Sequence, residues 1–191
     1  RINCLNSFFK TRKTIRAEEK DEYRVRGTAV VFDTPTVLFE YDGVKYSEVI
    51  DRNAFDECDM SDVIFNYNHG GKVVARLRNK TLTLTIDERG LHMEADLGGT
   101  QAGRELYEEI DGGYVDKMSF SFSVRESKYD SVTHTRTITK VKKLYDVSAV
   151  DIPAYKDTEI SARSFFEVEH SKELAALEQA ARRKRLVALT Y

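Results

Sequence analysis

Ser119, Ser121 and Ser123 alternate with Met118, Phe120, Phe122 and Val124 in the stretch GGYVDKMSFSFSV, residues 112–124. Period-two alternation is that of a half-buried strand, so three hydroxyls share its open face. A serine is a weak nucleophile until a base removes its proton, and imidazole is the side chain suited to that task near neutral pH. Of the four histidines, His69 stands apart. It closes the apolar run DVIFNYN (62–68) and precedes Gly70-Gly71, which puts it at a strand end beside a turn. A lone histidine near a turn is commonly a surface group, and the residues alone do not choose among the three serines. A carboxylate enters through hairpin geometry. If the chain turns between Asp130 and Val132, Asp146 falls opposite residues 114–119, beside Ser119. A carboxylate behind an imidazole fixes its tautomer and stabilises the imidazolium.

Other chemistries are poorly supported. His69, His92, His134 and His170 are scattered, and none sits in a metal-spaced pair, so no metal is expected. His92 shares the polar parity of LHMEADL with Glu94 and Asp96, and His170 reads as part of a solvated helix face. GGTQAG (98–103) lacks both the dinucleotide-binding glycine spacing and a following Lys-Ser/Thr, so it reads as a strand-to-helix turn. The cations of RRKR (182–185) suit a solvated helix end. A net charge of −2 gives no broad case for nucleic acid or a membrane surface. No apolar run approaches the roughly 18 residues that span a bilayer. The N-terminal segment does not read as a signal peptide, and a first residue other than Met suggests a trimmed or processed product. The isolated Cys4 and Cys58 read as free thiols in a reducing compartment.

The elements that must position these groups are mostly short strands. Of 191 residues, 41% are hydrophobic, enough for one domain with its own core. Residues 1–22 read as a polar, basic arm. Strands are expected at YRVRGTAVVFD (23–33), in a hairpin over 37–50 turning at Asp42-Gly43, at DVIFNYN, and in two runs parted by Arg89-Gly90. DRNAFDECDM offers a short helical turn capped by Asp51 or Asn53, and Thr100 caps a helix through AGRELYEEI that ends at Gly112-Gly113. The serine strand and a return strand, HTRTITKVKKLYDVSAV, follow, ended by Pro153. Residues 164–191 read as a helical tail or linker. Its capping box is Ser164-x-x-Glu167, and the thin apolar stripe Leu174, Leu177, Ala181 suits a partner better than the domain. Strands with turns every 8–12 residues favour a barrel or sandwich.

RGTAVVFD, SEVIDRNAFDE ahead of NHG, DERGLHMEADL, AGRELYEEIDGGYVDKMSFSF and LYDVSAVDIPAY, in that order, resemble the prohead (capsid maturation) proteases of tailed bacteriophages over about residues 22–163. That family is related in fold to the herpesvirus assembly proteases. The resemblance implies a strand-rich α+β fold, mainly an antiparallel β-barrel flanked by helices, over residues 23–163. It implies a serine endopeptidase with Ser119 as nucleophile, His69 as general base and Asp146 as third member, and no cofactor. The family often has Glu in its corresponding EVSLV motif and Gly where this chain has Ser121. Related viral proteases use a second His as third member, which keeps His134 as the alternative. Arg76 stands where the family often has an arginine, a candidate oxyanion donor beside backbone N–H groups. The substrates implied are the phage major capsid protein and scaffold, cut inside the procapsid assembled in the host cytoplasm, with self-cleavage. A dimer or higher assembly is implied, with no membrane and no direct nucleic-acid role. The competing reading is a catalytically inactive structural or scaffold-binding module of the phage head.

Overall fold

A computed structural model describes residues 14–17, 23–41, 43–152 and 156–188. Cys4, Asp42 and Pro153, and the side chain of Ser164, lie outside the description. In chain order the strands are Ile15–Ala17 (β1), Arg24–Val31 (β2), Thr36–Tyr41 (β3), Val44–Ile50 (β4), Ile64–Tyr67 (β5), Gly70–Arg76 (β6), Leu82–Ile86 (β7) and Gly90–Asp96 (β8). Helix Gln101–Asp111 (α1) follows, then Lys117–Asp130 (β9), Thr135–Val150 (β10) and helix Lys156–Ala188 (α2). The fold is strand-rich α+β.

The strands form two sheets. One runs β1-β2-β8-β7 and is antiparallel throughout. The other runs β3-β4-β10-β5-β6, with β9 on β10. Here β10 is the organising strand: it pairs antiparallel with β9 along its length and parallel with β4 and β5. Among the described residues one isolated bridge, Thr14 to Lys117, joins the sheets. Among the described residues no ladder between β6 and β7 closes them, so the pairing leaves an open pair of sheets, not a closed barrel.

Apolar faces of both sheets meet in one core. Val25, Val30, Phe65, Leu82, Leu91, Leu97, Ile138, Leu144 and Val147 are almost wholly buried there, each worth roughly 1.5–3 kcal/mol on leaving water. Close approach at its centre requires Gly27, where a Cβ would collide with the Met118 sulfur and the Thr14 carbonyl. That contact seats the beginning of β9. Helix α1 begins as the sequence predicts, with Thr100 Oγ1 accepting from Gly103 N at 2.9 Å, and it buries Leu106 and Ile110. DRNAFDECDM forms successive turns, with Asp51 Oδ1 accepting from Asn53 N at 2.8 Å.

Two tail expectations change. Because α2 is continuous from Lys156, Ser164 and Glu167 lie inside it and not at its start. The helix also packs on the domain. Phe166 is buried among Phe39, Tyr46 and Tyr129, and the Arg136 guanidinium lies 4.1 Å over the Phe165 ring. Burial lowers the pKa of Arg136 from its ordinary value. Leu174 and Leu177 remain exposed beyond this anchor.

Candidate active site

The site is assembled on β10. At the hairpin tip Thr135 faces Asp130, and at the far end Ser148 faces Ser119, so β10 gains two residues on β9 along the way. The gain comes from bulges, the last between Leu144 and Asp146. Leu144 points into the core opposite Phe122. Tyr145 is the extra, exposed residue, and Asp146 then faces Ser121 on the serine side of the sheet. Without the extra residue, period-two alternation would turn Asp146 inward beside Leu144. The bulge thus aims the carboxylate out of the core. Asp146 consequently lies opposite Ser121 and diagonal to Ser119, one row from the position the simple hairpin count implies.

On the other side of β10, β5 brings Asn66 opposite Ser148 and then turns into β6 through Asn68 and His69. These two residues have φ of 50° and 55°, the positive pair of a two-residue type I′ hairpin loop, and Tyr67 pairs with Gly70 across it. His69 therefore occupies the turn itself and not the strand end before it. A backbone bond from Asn68 N to Ala149 O, at 3.0 Å, ties the turn to β10.

From this turn the imidazole reaches back over β10. His69 Nδ1 lies 2.7 Å from Asp146 Oδ1 and 3.2 Å from Ser148 Oγ. A carboxylate only accepts, so Nδ1 carries the proton and Nε2 presents its lone pair. Nε2 has no hydrogen-bond partner among the described residues. Ser148 is fully buried, and its Oγ lies 2.8 Å from Asp146 Oδ1 and 2.5 Å from Asn66 Oδ1. Ser119 is half-buried across the ladder from Ser148, with no side-chain hydrogen bond among the described residues. Facing Cβ atoms in such pairs stand roughly 4.5–5.5 Å apart. His69 and Asp146 are thus in contact, whereas Ser119 is adjacent to the pair without bonding to it.

The remaining candidates lie elsewhere. His134 sits at the opposite end of β10, its Nδ1 3.1 Å from the Tyr129 hydroxyl and its ring 5.2 Å from that of Tyr46. It does not reach His69. Arg76 shares a cross-strand row with Ile64, Asp146 and Ser121, three strand spacings from Ser121, or about 14 Å. Its Nε donates to Asp62 Oδ1 at 3.2 Å and its Nη2 to Oδ2 at 2.5 Å. That bonding raises the pKa of Arg76 and lowers that of Asp62. The guanidinium is therefore committed to an ion pair away from Ser119. His92, on β8, bonds Thr28 and Asp87. Among the described residues, no three His, Cys, Asp or Glu side chains gather as metal ligands.

Sequence reasoning missed Ser148 and Asn66. Ser148 had a usable signal, because it lies two residues from Asp146 and so on the same side of a strand. Asn66 was marked only by being polar within an apolar run. Beside the His69 turn a groove of about 490 Å³ runs between α1 and the β5–β6 hairpin, lined by Tyr67, Val74, Leu106 and Glu109 among others. No curated protein and no solved structure matches the chain. A family model described as the caudovirus prohead serine protease matches residues 11–173.

Proposed function

We propose, proceeding from the fact that this chain belongs to the caudovirus prohead serine protease family, that it cuts peptide bonds with Ser119, His69 and Asp146. The family is one of serine proteases of phage capsid maturation, so capsid proteins are its substrate class. The finer proposal is that this chain cleaves the major capsid protein's scaffolding segment or the scaffold, and then itself, inside the procapsid assembled in the host cytoplasm. The observation carrying it is the 2.7 Å contact of His69 Nδ1 with Asp146 Oδ1, which leaves Nε2 open one strand from Ser119. A herpesvirus-assembly-type barrel and a dimeric or higher assembly belong to the same proposal. The Thr14–Lys117 bridge joins the sheets along one seam, and the proposed barrel needs the second seam, between β6 and β7, to close as well.

Ser119 Oγ attacks the scissile carbonyl while His69 Nε2 takes its proton. The imidazolium is then held against Asp146 and returns the proton to the leaving amine. A water activated by the same Nε2 hydrolyses the acyl-enzyme. A free Nε2 and an unbonded Ser119 hydroxyl suit a resting state whose catalytic hydrogen bond tightens on substrate binding.

A fluorophosphonate probe with peptide mapping tests this reading. Wild type should be labelled at Ser119, and Ser119→Ala should abolish both labelling and self-truncation. Ser121→Ala should keep labelling at Ser119. Label on Ser121, which faces Asp146 directly, would move the nucleophile two residues. No labelling, together with no cleavage of co-expressed capsid protein, would favour an inactive structural module.

A further inference from the structure

Ser148 has no part in the triad, yet it is the most enclosed polar side chain near the site, with no exposed surface. Three polar partners surround its hydroxyl within 3.2 Å: Asn66, Asp146 and His69. A hydroxyl has one proton to give and two lone pairs to accept with, so these contacts admit few arrangements. His69 Nδ1–H points at Asp146 Oδ1, with Ser148 Oγ as a second, longer acceptor. If the Ser148 proton goes to Asp146 Oδ1, none is left for the Asn66 Oδ1 placed beside Ser148 Oγ, so the contact is satisfied only with the Asn66 amide turned to present NH2 to that oxygen. Asn and Gln amide orientation is set by such networks. The result is a directional chain: Asn66 donates to Ser148, Ser148 donates to Asp146, and Asp146 accepts from His69.

We infer that Ser148, oriented by Asn66, is a positioning residue that holds the Asp146 carboxylate under the His69 ring. This rests on the reading of His69 as base and Asp146 as its orienting acid. Asp146 stands just after a bulge, on a short stem, and among the described residues Ser148 is the one side chain of its own strand that bonds the carboxylate. Ser148 stops the carboxylate from turning away, because it lies on the same side of β10 and its donor is itself fixed by Asn66 on β5. A merely space-filling serine would need only one hydrogen-bond partner to be buried without penalty. This one is shared between the strand that carries the base and the carboxylate that orients it.

The test combines fluorophosphonate labelling with proton NMR of the His69 Nδ1–H, which a bond to a carboxylate moves far downfield. Ser148→Ala should slow labelling by about 10- to 100-fold, as loss of a hydrogen bond to a charged group implies. It should also remove or broaden the Nδ1 proton signal while a cooperative thermal transition persists. Ser148→Thr keeps the hydroxyl and should restore both. Asn66→Asp, an isosteric change without the amide donor, should repeat the loss and serves if Ser148→Ala fails to fold. Labelling of Ser148→Ala within about twofold of wild type, with the Nδ1 signal intact, would overturn the inference. So would an Asn66→Asp variant indistinguishable from wild type. If wild type itself is never labelled, the nucleophile assignment fails, and the NMR comparison still decides the role of Ser148.

Discussion

His69 adopts a left-handed backbone conformation that costs a residue with a Cβ roughly 1–2 kcal/mol. At such a loop position glycine would be the unstrained choice, so the imidazole is held where the chain resists it. His69→Gly and His69→Ala should both be inactive, since each removes the proposed base. The glycine variant should be more stable than the alanine variant by about 1 kcal/mol in urea unfolding. Equal stabilities would mean the turn relaxes and stores nothing. Asp146→Asn should keep the fold but slow fluorophosphonate labelling by roughly 10³–10⁴-fold, because an amide no longer enforces the Nδ1–H tautomer. His134→Ala should leave that rate near wild type, since His134 is bonded to Tyr129 at the other end of the strand. The reverse pattern would reassign the third member.

The elements show which parts of the site the sequence made legible. The alternation of β9 sorted Met118, Phe120 and Phe122 from the serines correctly, because β9 keeps period two through that stretch. In β10 the first four wholly buried positions, Ile138, Val141, Leu144 and Val147, recur every third residue, which no regular strand allows. Bulges produce that spacing, and bulges leave no reliable mark in one sequence. The Asp146 register therefore slipped from Ser119 to Ser121, while its side of the sheet was still anticipated. Deleting Tyr145 should restore alternation, turn Asp146 toward the core and abolish labelling. It should also lower stability by several kcal/mol, because a carboxylate would lose its partners in an apolar setting. Retained activity would show that the bulge does not aim the carboxylate. The turn after β7 has its own pH signature. The His92 bond, followed by the Arg89 N–H, holds Asp87 down to about 2. A depressed carboxyl stabilises the fold fully above the unfolded value near 4, and the contribution fades as pH falls toward about 2. A carboxyl NMR titration of Asp87 should show that low midpoint, and Asp87→Asn should flatten the acid slope of stability in that window. An ordinary midpoint would remove the effect.

At the scale of the whole molecule, the domain carries its chemistry and its tail anchor at opposite ends of β10. Phe166, Tyr46, Tyr129 and His134 gather at the hairpin tip, while His69, Asp146, Ser148 and Ser119 gather at the other end. The tail's apolar stripe of Leu174, Leu177 and Ala181 did not point to the Phe166 anchor, because its partners Phe39 and Tyr46 come from a hairpin far away in sequence. Phe166→Ala, with a truncation cost of roughly 3–5 kcal/mol at a buried aromatic, should undock α2 and let it fray, so that trypsin cuts faster at its already exposed Lys and Arg residues. Ser119 labelling should stay within about twofold of wild type. A parallel loss of labelling would tie the tail to the site.

The central place of β10 also sets a schedule. Among the described residues it is the last strand in chain order, yet it is the strand that joins the β3–β4 hairpin, the β5–β6 hairpin and β9 into one sheet. A nascent chain that has exposed the base and all three hydroxyls still has no orienting carboxylate. Nor does it have the strand that holds β5 and β9 on either side of one another. Because such non-local pairing forms slowly, the proposed proteolytic site assembles only after the sheet is complete. For the proposed protease, strand order by itself thus delays assembly of the site until β10 has been made.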